Sequence, residues 1–189
     1  APPIKNFASD ELKARVLPSI LSGQKISALA ITEPSGGSDV AALATKAIRD
    51  GDHYLVSGEK TFITSGIRAD YYSVAVRTDS QGKGSNGISM LLIEGDTAGL
   101  SKSPLKKMGW WASDTAQLHF DQCRVPVANL IGPEHMGFLV IMQNFNMERF
   151  FLAASAYGFA KVCYEDTLAW AQQRKTFGKR LIDHQVVRH

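Results

Sequence analysis

"HYLVSGEKTFITSG", His53 to Gly66, is the stretch on which the fold turns. It is rich in β-branched and aromatic residues, lacks proline and follows the turn signal "DGDH", so an extended strand is its natural reading. Strand side chains alternate with period two, which places Phe62 and Thr64 on one face. An aromatic ring beside a hydroxyl suits a flat heteroaromatic ligand, one packing on its face and the other bonding to its edge. The same pattern also describes an ordinary strand with one buried aromatic.

Runs of the same character lie on both sides: "ISALAIT", "ATKAIRD", "YYSVAVRT", "GISMLLIEG" and "TAQLHFDQCRV". "SQGKGSNG" and "MGWWASD" supply the Gly, Asn, Asp and Ser clusters that turns require. Short strands without helices between them predict a small antiparallel β-barrel or sandwich over residues 26–130. Helical patterns flank it. "ASDELKARVLPSILSG" spaces Leu12, Val16 and Ile20 at i, i+4 and i+8 after a capping Ser9 or Asp10, and is expected to break near Pro18. Residues 1–25 therefore read as the end of a helical domain. From Met136 to Arg174 no proline occurs, and apolar residues recur at helical spacing. That is one helix of about 50 Å, too long for the barrel, so residues 131–189 read as the start of an incomplete helical bundle. The fold class is α+β.

Composition excludes several functions. Of 189 residues 44% are hydrophobic, enough to fill a core, and the net charge of +3 comes without a basic block, against nucleic-acid binding. Cys123 and Cys163 lack CxxC spacing and read as buried thiols of a reducing compartment. No signal peptide or run of 18 apolar residues appears, so no membrane span is expected. The chain lacks an initial Met and ends within an amphipathic pattern; it reads as a fragment. The histidines are scattered, and no metal centre is expected.

Three further constellations carry chemistry. In "ITEPSGGSD", Ile31 to Asp39, a strand end, Gly36, Gly37 and Ser38 can present N–H groups and a hydroxyl to a phosphate or a ring edge; a plain Pro-Gly turn looks the same. In "FNMERFFLAAS" helical spacing puts Glu148 on a stripe with Ile141, Asn144, Phe151, Leu152 and Ser155. Burial there would raise its pKa toward a general base, while an ion pair with Arg149 is the alternative. In "QQRKTFGKRLIDHQ", Arg174 and Thr176 can grip a phosphate, or simply form a basic helix end.

In order and spacing, "ELKARVLPSILSG", "TEPSGGSD", "VSGEKTFITSG", "KKMGWWASDTAQLHF", "VPVANLIG", "ERFFLAA" and "RKTFGKRLIDHQ" resemble the flavin-dependent acyl-CoA dehydrogenases over nearly the whole chain. The resemblance implies a helical N-terminal domain, a central β-domain and a C-terminal four-helix bundle. It implies that Leu29 and Ile31 contact the FAD ring and that Thr32 bonds to its pyrimidine edge. Ser38 would reach the pyrophosphate or the acyl-CoA, with Gly37 leaving room. Phe62, Ile63 and Thr64 match the segment stacked on the isoalloxazine, where the family most often has Trp at the position of Phe62. Phe145, Asn146 and Arg149 match substrate contacts, and Arg174, Thr176, Phe177, His184 and Gln185 match positions that complete the FAD site, partly from a neighbouring subunit.

Glu148 falls where isovaleryl-type and long-chain-type members carry the catalytic base; many other members carry it downstream. The implied reaction is α,β-dehydrogenation of an acyl-CoA to a trans-2-enoyl-CoA, with electrons passed to an electron-transfer flavoprotein. A homodimer or homotetramer is implied, in the cytoplasm or, in a eukaryote, the mitochondrial matrix. The same scaffold hosts acyl-CoA oxidases and flavin monooxygenases, and a non-catalytic binding or assembly fragment is the remaining alternative.

Overall fold

The computed structural model describes residues 1–82 and 84–189; Lys83, within the expected turn "SQGKGSNG", lies outside the described residues. The chain divides into two compact units, Ala1–Asn144 and Phe145–His189.

The first unit opens with two helices, α1 (Pro2–Phe7) and α2 (Asp10–Leu21). Ser9 caps α2, its hydroxyl accepting from the Leu12 N–H at 3.2 Å. Contrary to expectation, α2 runs through Pro18 to Leu21. Pro18 removes one N–H, but Ala14, whose carbonyl loses that partner, is on the exposed side of the helix, where water can replace it. Helix α1 carries no periodic signal in the sequence and was not expected.

Seven strands follow: β1 (Ser27–Ala30), β2 (Lys46–Asp50), β3 (His53–Thr64), β4 (Tyr71–Arg77), β5 (Ile88–Glu94), β6 (Leu100–Pro104) and β7 (Thr115–Pro126). They form one curled sheet in the order β1-β4-β2-β3-β7-β6, with β5 on the other edge of β4. Most neighbours are antiparallel, as predicted. Two pairings are parallel, however: β1 runs along Tyr71–Val74 of β4, and β2 meets the same strand at Arg77. β1 and β2 thus share one edge of β4 in succession, which bends the sheet toward a half-barrel. The turn between β2 and β3 is Gly51-Asp52 with Gly51 at φ +63°, a left-handed position that glycine adopts without penalty.

The core lies inside the curl. Tyr54 and Val56 of β3, Tyr72 and Val74 of β4, Leu91 and Ile93 of β5 and Leu118 and Phe120 of β7 are all buried there. Every residue of β5 except Glu94 is buried, as a strand covered on both faces requires.

Helix α3 (Gly137–Gln173) begins in the first unit and runs into the second; its 37 residues span about 55 Å. In the first unit Val140 and Ile141 are buried. In the second, Phe150, Phe151, Leu152, Tyr157, Phe159 and Tyr164 are all exposed, so this part of α3 is apolar around its circumference. Helices of that kind are buried in a larger bundle. Cys163 is exposed on this open surface, against the expectation of two buried thiols; Cys123 of β7 is buried.

After α3 come a two-residue hairpin, β8 (Lys175–Thr176) and β9 (Lys179–Arg180), then α4 (Gln185–Arg188). The hairpin turn, Phe177-Gly178, has φ of +50° and +77°, the signs of a type I′ turn. No helix among the described residues is long and apolar enough to cross a membrane.

Candidate functional site

The loop after β1 is built on a buried charge. Glu33 is 5% exposed and Lys60 of β3 is fully buried, with Nζ 2.8 Å from Glu33 Oε1 and 3.0 Å from the Ile31 carbonyl. The carboxylate also accepts from the Ala44 N–H at 2.6 Å and the Thr45 N–H at 2.9 Å. Burial pushes the Lys60 ammonium down to about 8, although the Glu33 carboxylate pulls the other way. Burial also works against ionised Glu33, but Lys60 and the donors of Thr45 and Ala44 outweigh it and hold the carboxyl below its usual value.

Around this anchor the loop is tight. Glu33 and Gly36 exchange both backbone hydrogen bonds, at 3.0 and 3.1 Å, with Pro34 and Ser35 at the tip. Neither Gly36 nor Gly37 takes a positive φ. Gly37 is needed for another reason: a Cβ there would lie 2.9 Å from Thr32 Cγ2. The clearance thus accommodates the Thr32 side chain. Ser38 itself is exposed and Thr32 half-buried. Leu29 is half-buried and Ile31 is buried.

β3 brings the second element beside the first. The Thr61 N–H donates to the Thr32 carbonyl at 2.8 Å. The register against β7 then slips between Lys60 and Ile63, and Phe62 stands in this bulge at φ +59°. A bulky residue in the left-handed region is strained by about 1–3 kcal/mol. Phe62 is 69% exposed and Thr64 is exposed on the same side, while Ile63 between them is buried. The two share a face, as alternation predicts, but Lys60 of the same parity is buried, so it is the bulge that turns this face outward.

The turn after Thr64 is held by Asp114. The Ile67 N–H and Arg68 Nε donate to its carboxylate at 2.7 and 2.6 Å, and the Ser65 N–H to its carbonyl at 3.0 Å. Partial burial opposes ionisation, but the Ile67 N–H and the Arg68 guanidinium prevail and keep Asp114 below the usual carboxylate range. Gly66 admits no side chain, since a Cβ would come 2.6 Å from that of Ala116.

The second unit holds the remaining expected residues. Phe145 is half-buried, Asn146, Glu148 and Arg149 are exposed, and the Arg149 guanidinium lies 5.6 Å from the centre of the Phe145 ring. Of the stripe expected around Glu148, Ile141 and Asn144 are buried within the first unit, whereas Phe151 and Leu152 are exposed like Glu148 itself, so this turn of α3 gives the carboxylate no burial. Near the hairpin, Thr176 Oγ1 is 3.4 Å from His184 Nε2, and the Leu181 N–H donates to the Arg174 carbonyl at 2.8 Å. Arg174, Phe177 and Gln185 are exposed.

Four residues that the sequence reading passed over organise the site: Lys60, Asp114 and Arg77 were not singled out, and Glu33 had no assigned role. Arg77 donates to five carbonyls, those of Ala41, Leu43, Gly82, Gly84 and Asn86, and so staples the end of the Glu33 loop to the following turn. The signal for Lys60 was available. It shares the inward parity of Tyr54 and Val56, and a lysine there requires a buried carboxylate.

The first unit thus offers an outward aromatic ring, hydroxyls at Thr32 and Thr64 and an exposed loop tip, a set that fits a flat ring bearing polar edges. Residues 28–123 match the family model for the acyl-CoA dehydrogenase middle domain, and 135–189 that for the C-terminal domain. Cyclohexane-1-carbonyl-CoA dehydrogenase of Geobacter metallireducens is 41% identical over 98% of this chain and 48% of its own length. The crystal structure of acyl-CoA dehydrogenase from Geobacillus kaustophilus superposes with a TM-score of 0.93 at 43% identity, over 99% of this chain and 50% of that one. A glutaryl-CoA dehydrogenase from Mycobacterium smegmatis in complex with FADH2 gives 0.88 at 32%, over 98% of this chain and 47% of that one. The chain spans about half the length of the relatives it matches, and it belongs to the acyl-CoA dehydrogenase family.

Proposed function

We propose that the protein containing this chain is an FAD-dependent acyl-CoA dehydrogenase that converts an acyl-CoA thioester to a trans-2-enoyl-CoA and passes its electrons to an electron-transfer flavoprotein. The observation that carries the reading is the outward Phe62–Thr64 face, held in a strained bulge and tied to Thr32 through the Thr61 N–H. Strain of this kind persists where the surroundings enforce it and concentrates at ligand sites. The FADH2 complex of the M. smegmatis relative supports the choice of cofactor.

In this reading FAD, when bound, would supply the hydride acceptor for the β-hydrogen. Phe62 would pack on the ring, Thr32 and Thr64 would bond to its edge, Leu29, Ile31 and Ile63 would line it, and Ser38 beside Gly37 would take phosphate. Arg174, Thr176, Phe177, His184 and Gln185 complete the site, in part from a neighbouring subunit of a homodimer or homotetramer. Phe145, Asn146 and Arg149 hold the acyl-CoA, and Glu148 takes the α-proton. The chain's share of catalysis is to orient the two C–H bonds and exclude water. Residues 1–25, 26–130 and 131–189 are then the end of a helical domain, a central β-domain and the start of a bundle that covers the apolar surface of α3. The compartment is cytoplasmic, or the mitochondrial matrix in a eukaryote.

The test is anaerobic titration of the intact protein, reconstituted with FAD, against butyryl-, isovaleryl-, palmitoyl- and cyclohexane-1-carbonyl-CoA. Bleaching of the flavin absorbance by one of them is expected. Protein that binds no FAD, or a flavin that no acyl-CoA bleaches, refutes the proposal.

A further inference from the structure

Between the two segments that form the outward face lies a buried charge pair, linked to them through the Ile31 carbonyl. Lys60 leaves β3 two residues before Phe62, and Glu33 directly follows Thr32. Both are sealed from solvent, with side-chain exposures of 0% and 4%. Placing two ions out of water costs several kcal/mol each, and apolar side chains of similar volume commonly give equal or greater stability. Stability alone therefore does not account for this pair.

Direction does. An apolar contact tolerates sliding; a carboxylate with three donors and an ammonium with two acceptors do not. Glu33 fixes the amides of Ala44 and Thr45 at 2.6 and 2.9 Å, and Lys60 fixes the Ile31 carbonyl at 3.0 Å. Thr45 in turn bonds through Oγ1 to the Glu59 carbonyl at 3.1 Å, which closes the network onto β3 just ahead of the bulge. The start of the loop, its far end and the strand carrying Phe62 thus meet at one buried point.

Resting on the flavin reading above, we propose that the Glu33–Lys60 pair is the positioning device of the cofactor face, setting Thr32 against Phe62 and Thr64. Neither residue touches the ligand. Their effect is carried by Ile31, Thr32 and the bulge, and a displacement of about 1 Å at such a face can cost about 100-fold in rate.

The test uses the intact flavoprotein and the double variant Glu33→Leu/Lys60→Met, which removes both charges and keeps the space filled. The melting midpoint should stay level or rise. The Kd for FAD should rise about tenfold or more, amide exchange at Ala44 and Thr45 should quicken about tenfold, and the rate of flavin reduction at saturating acyl-CoA should fall up to about 100-fold with KM little moved. A structural role would move the midpoint together with everything else. A folded double variant whose FAD affinity and reduction rate stay within about twofold of wild type overturns the proposal. Should that variant not fold, Glu33→Gln measured well below its own midpoint takes its place under the same criteria. Wild-type protein that binds no FAD refutes the flavin reading instead; amide exchange then decides the pair, and unchanged exchange at Ala44 and Thr45 overturns it.

Discussion

Gly37 and Thr32 touch: a Cβ built on Gly37 falls 2.9 Å from Thr32 Cγ2 and 3.3 Å from Thr32 Oγ1. Real Cβ atoms do not approach so closely, so a side chain at 37 must turn the Thr32 rotamer and redirect its hydroxyl. The loop tip is exposed, so global stability should hardly change.

Gly37→Ala in the intact protein is therefore expected to weaken FAD by about tenfold, the worth of one hydrogen bond, with a melting midpoint close to wild type. Thr32→Val should cost about the same. Because both act on one hydroxyl, the double variant should be no worse than either single one, as isothermal titration with FAD would reveal. Additive losses would place the role of Gly37 elsewhere.

A second consequence concerns Phe62, at φ +59° with 69% of its surface exposed. The exposed ring contributes little burial, while its backbone costs about 1–3 kcal/mol. Glycine carries no penalty at this φ but loses about 0.5–1 kcal/mol in the unfolded state. Phe62→Gly should thus raise stability by about 1 kcal/mol in urea denaturation and remove most FAD affinity, whereas Phe62→Trp should retain it. A destabilised glycine variant would contradict the strain argument.

How much of this could be read from the residues alone differed by element. Alternation in "HYLVSGEKTFITSG" was enough to place Phe62 and Thr64 together, because only the buried Ile63 stands between them. It could not reveal the bulge, which depends on register against β7, some 50 residues onward. The parallel contacts of β1 and β2 with β4 were likewise hidden, since short connections favour the antiparallel reading and both contacts are long-range. β6, "LSKSP", has too few apolar residues to announce itself and is recruited by β7. Conversely, the stripe around Glu148 was correct as spacing yet not as burial, because helical periodicity specifies a face and not what covers it.

Acid should loosen the same region. Glu33, Asp70 and Asp114 are each held below their usual pKa: Glu33 and Asp114 against an opposing burial cost, Asp70 by Lys25 and the Ile26 N–H. A depressed folded pKa means that the unfolded chain binds protons first as pH falls. The stability these groups contribute is thus present above their unfolded values, 4.5 for Glu33 and 3.8 for the aspartates, and is lost as pH drops through the lower folded values. Urea denaturation between neutrality and about pH 3 should show falling stability, with a shallower fall in Asp114→Asn. An unchanged slope in that variant would remove Asp114 from the account.

Glu148 supplies the sharpest test of the chemistry. It is exposed here, on a turn of α3 whose neighbours Phe151 and Leu152 are also open to solvent. In the proposed role a solvent-exposed carboxylate must shed its water before it meets carbon, so Glu148 requires the apolar surface of α3 to be covered and solvent excluded. Glu148→Gln preserves shape and removes the base. In the intact, FAD-loaded protein it should leave the flavin spectrum and the FAD Kd unchanged, and slow flavin reduction by acyl-CoA by about 100- to 10,000-fold, the range for a lost general base. Substrate α-deuteration distinguishes loss of proton abstraction from loss of binding, because the isotope effect on the residual rate should persist. A Gln variant that reduces its flavin at the wild-type rate would assign the α-proton to a carboxylate outside residues 1–189, and the part left to this turn of α3 would be the grip of Asn146 and Arg149 on the substrate.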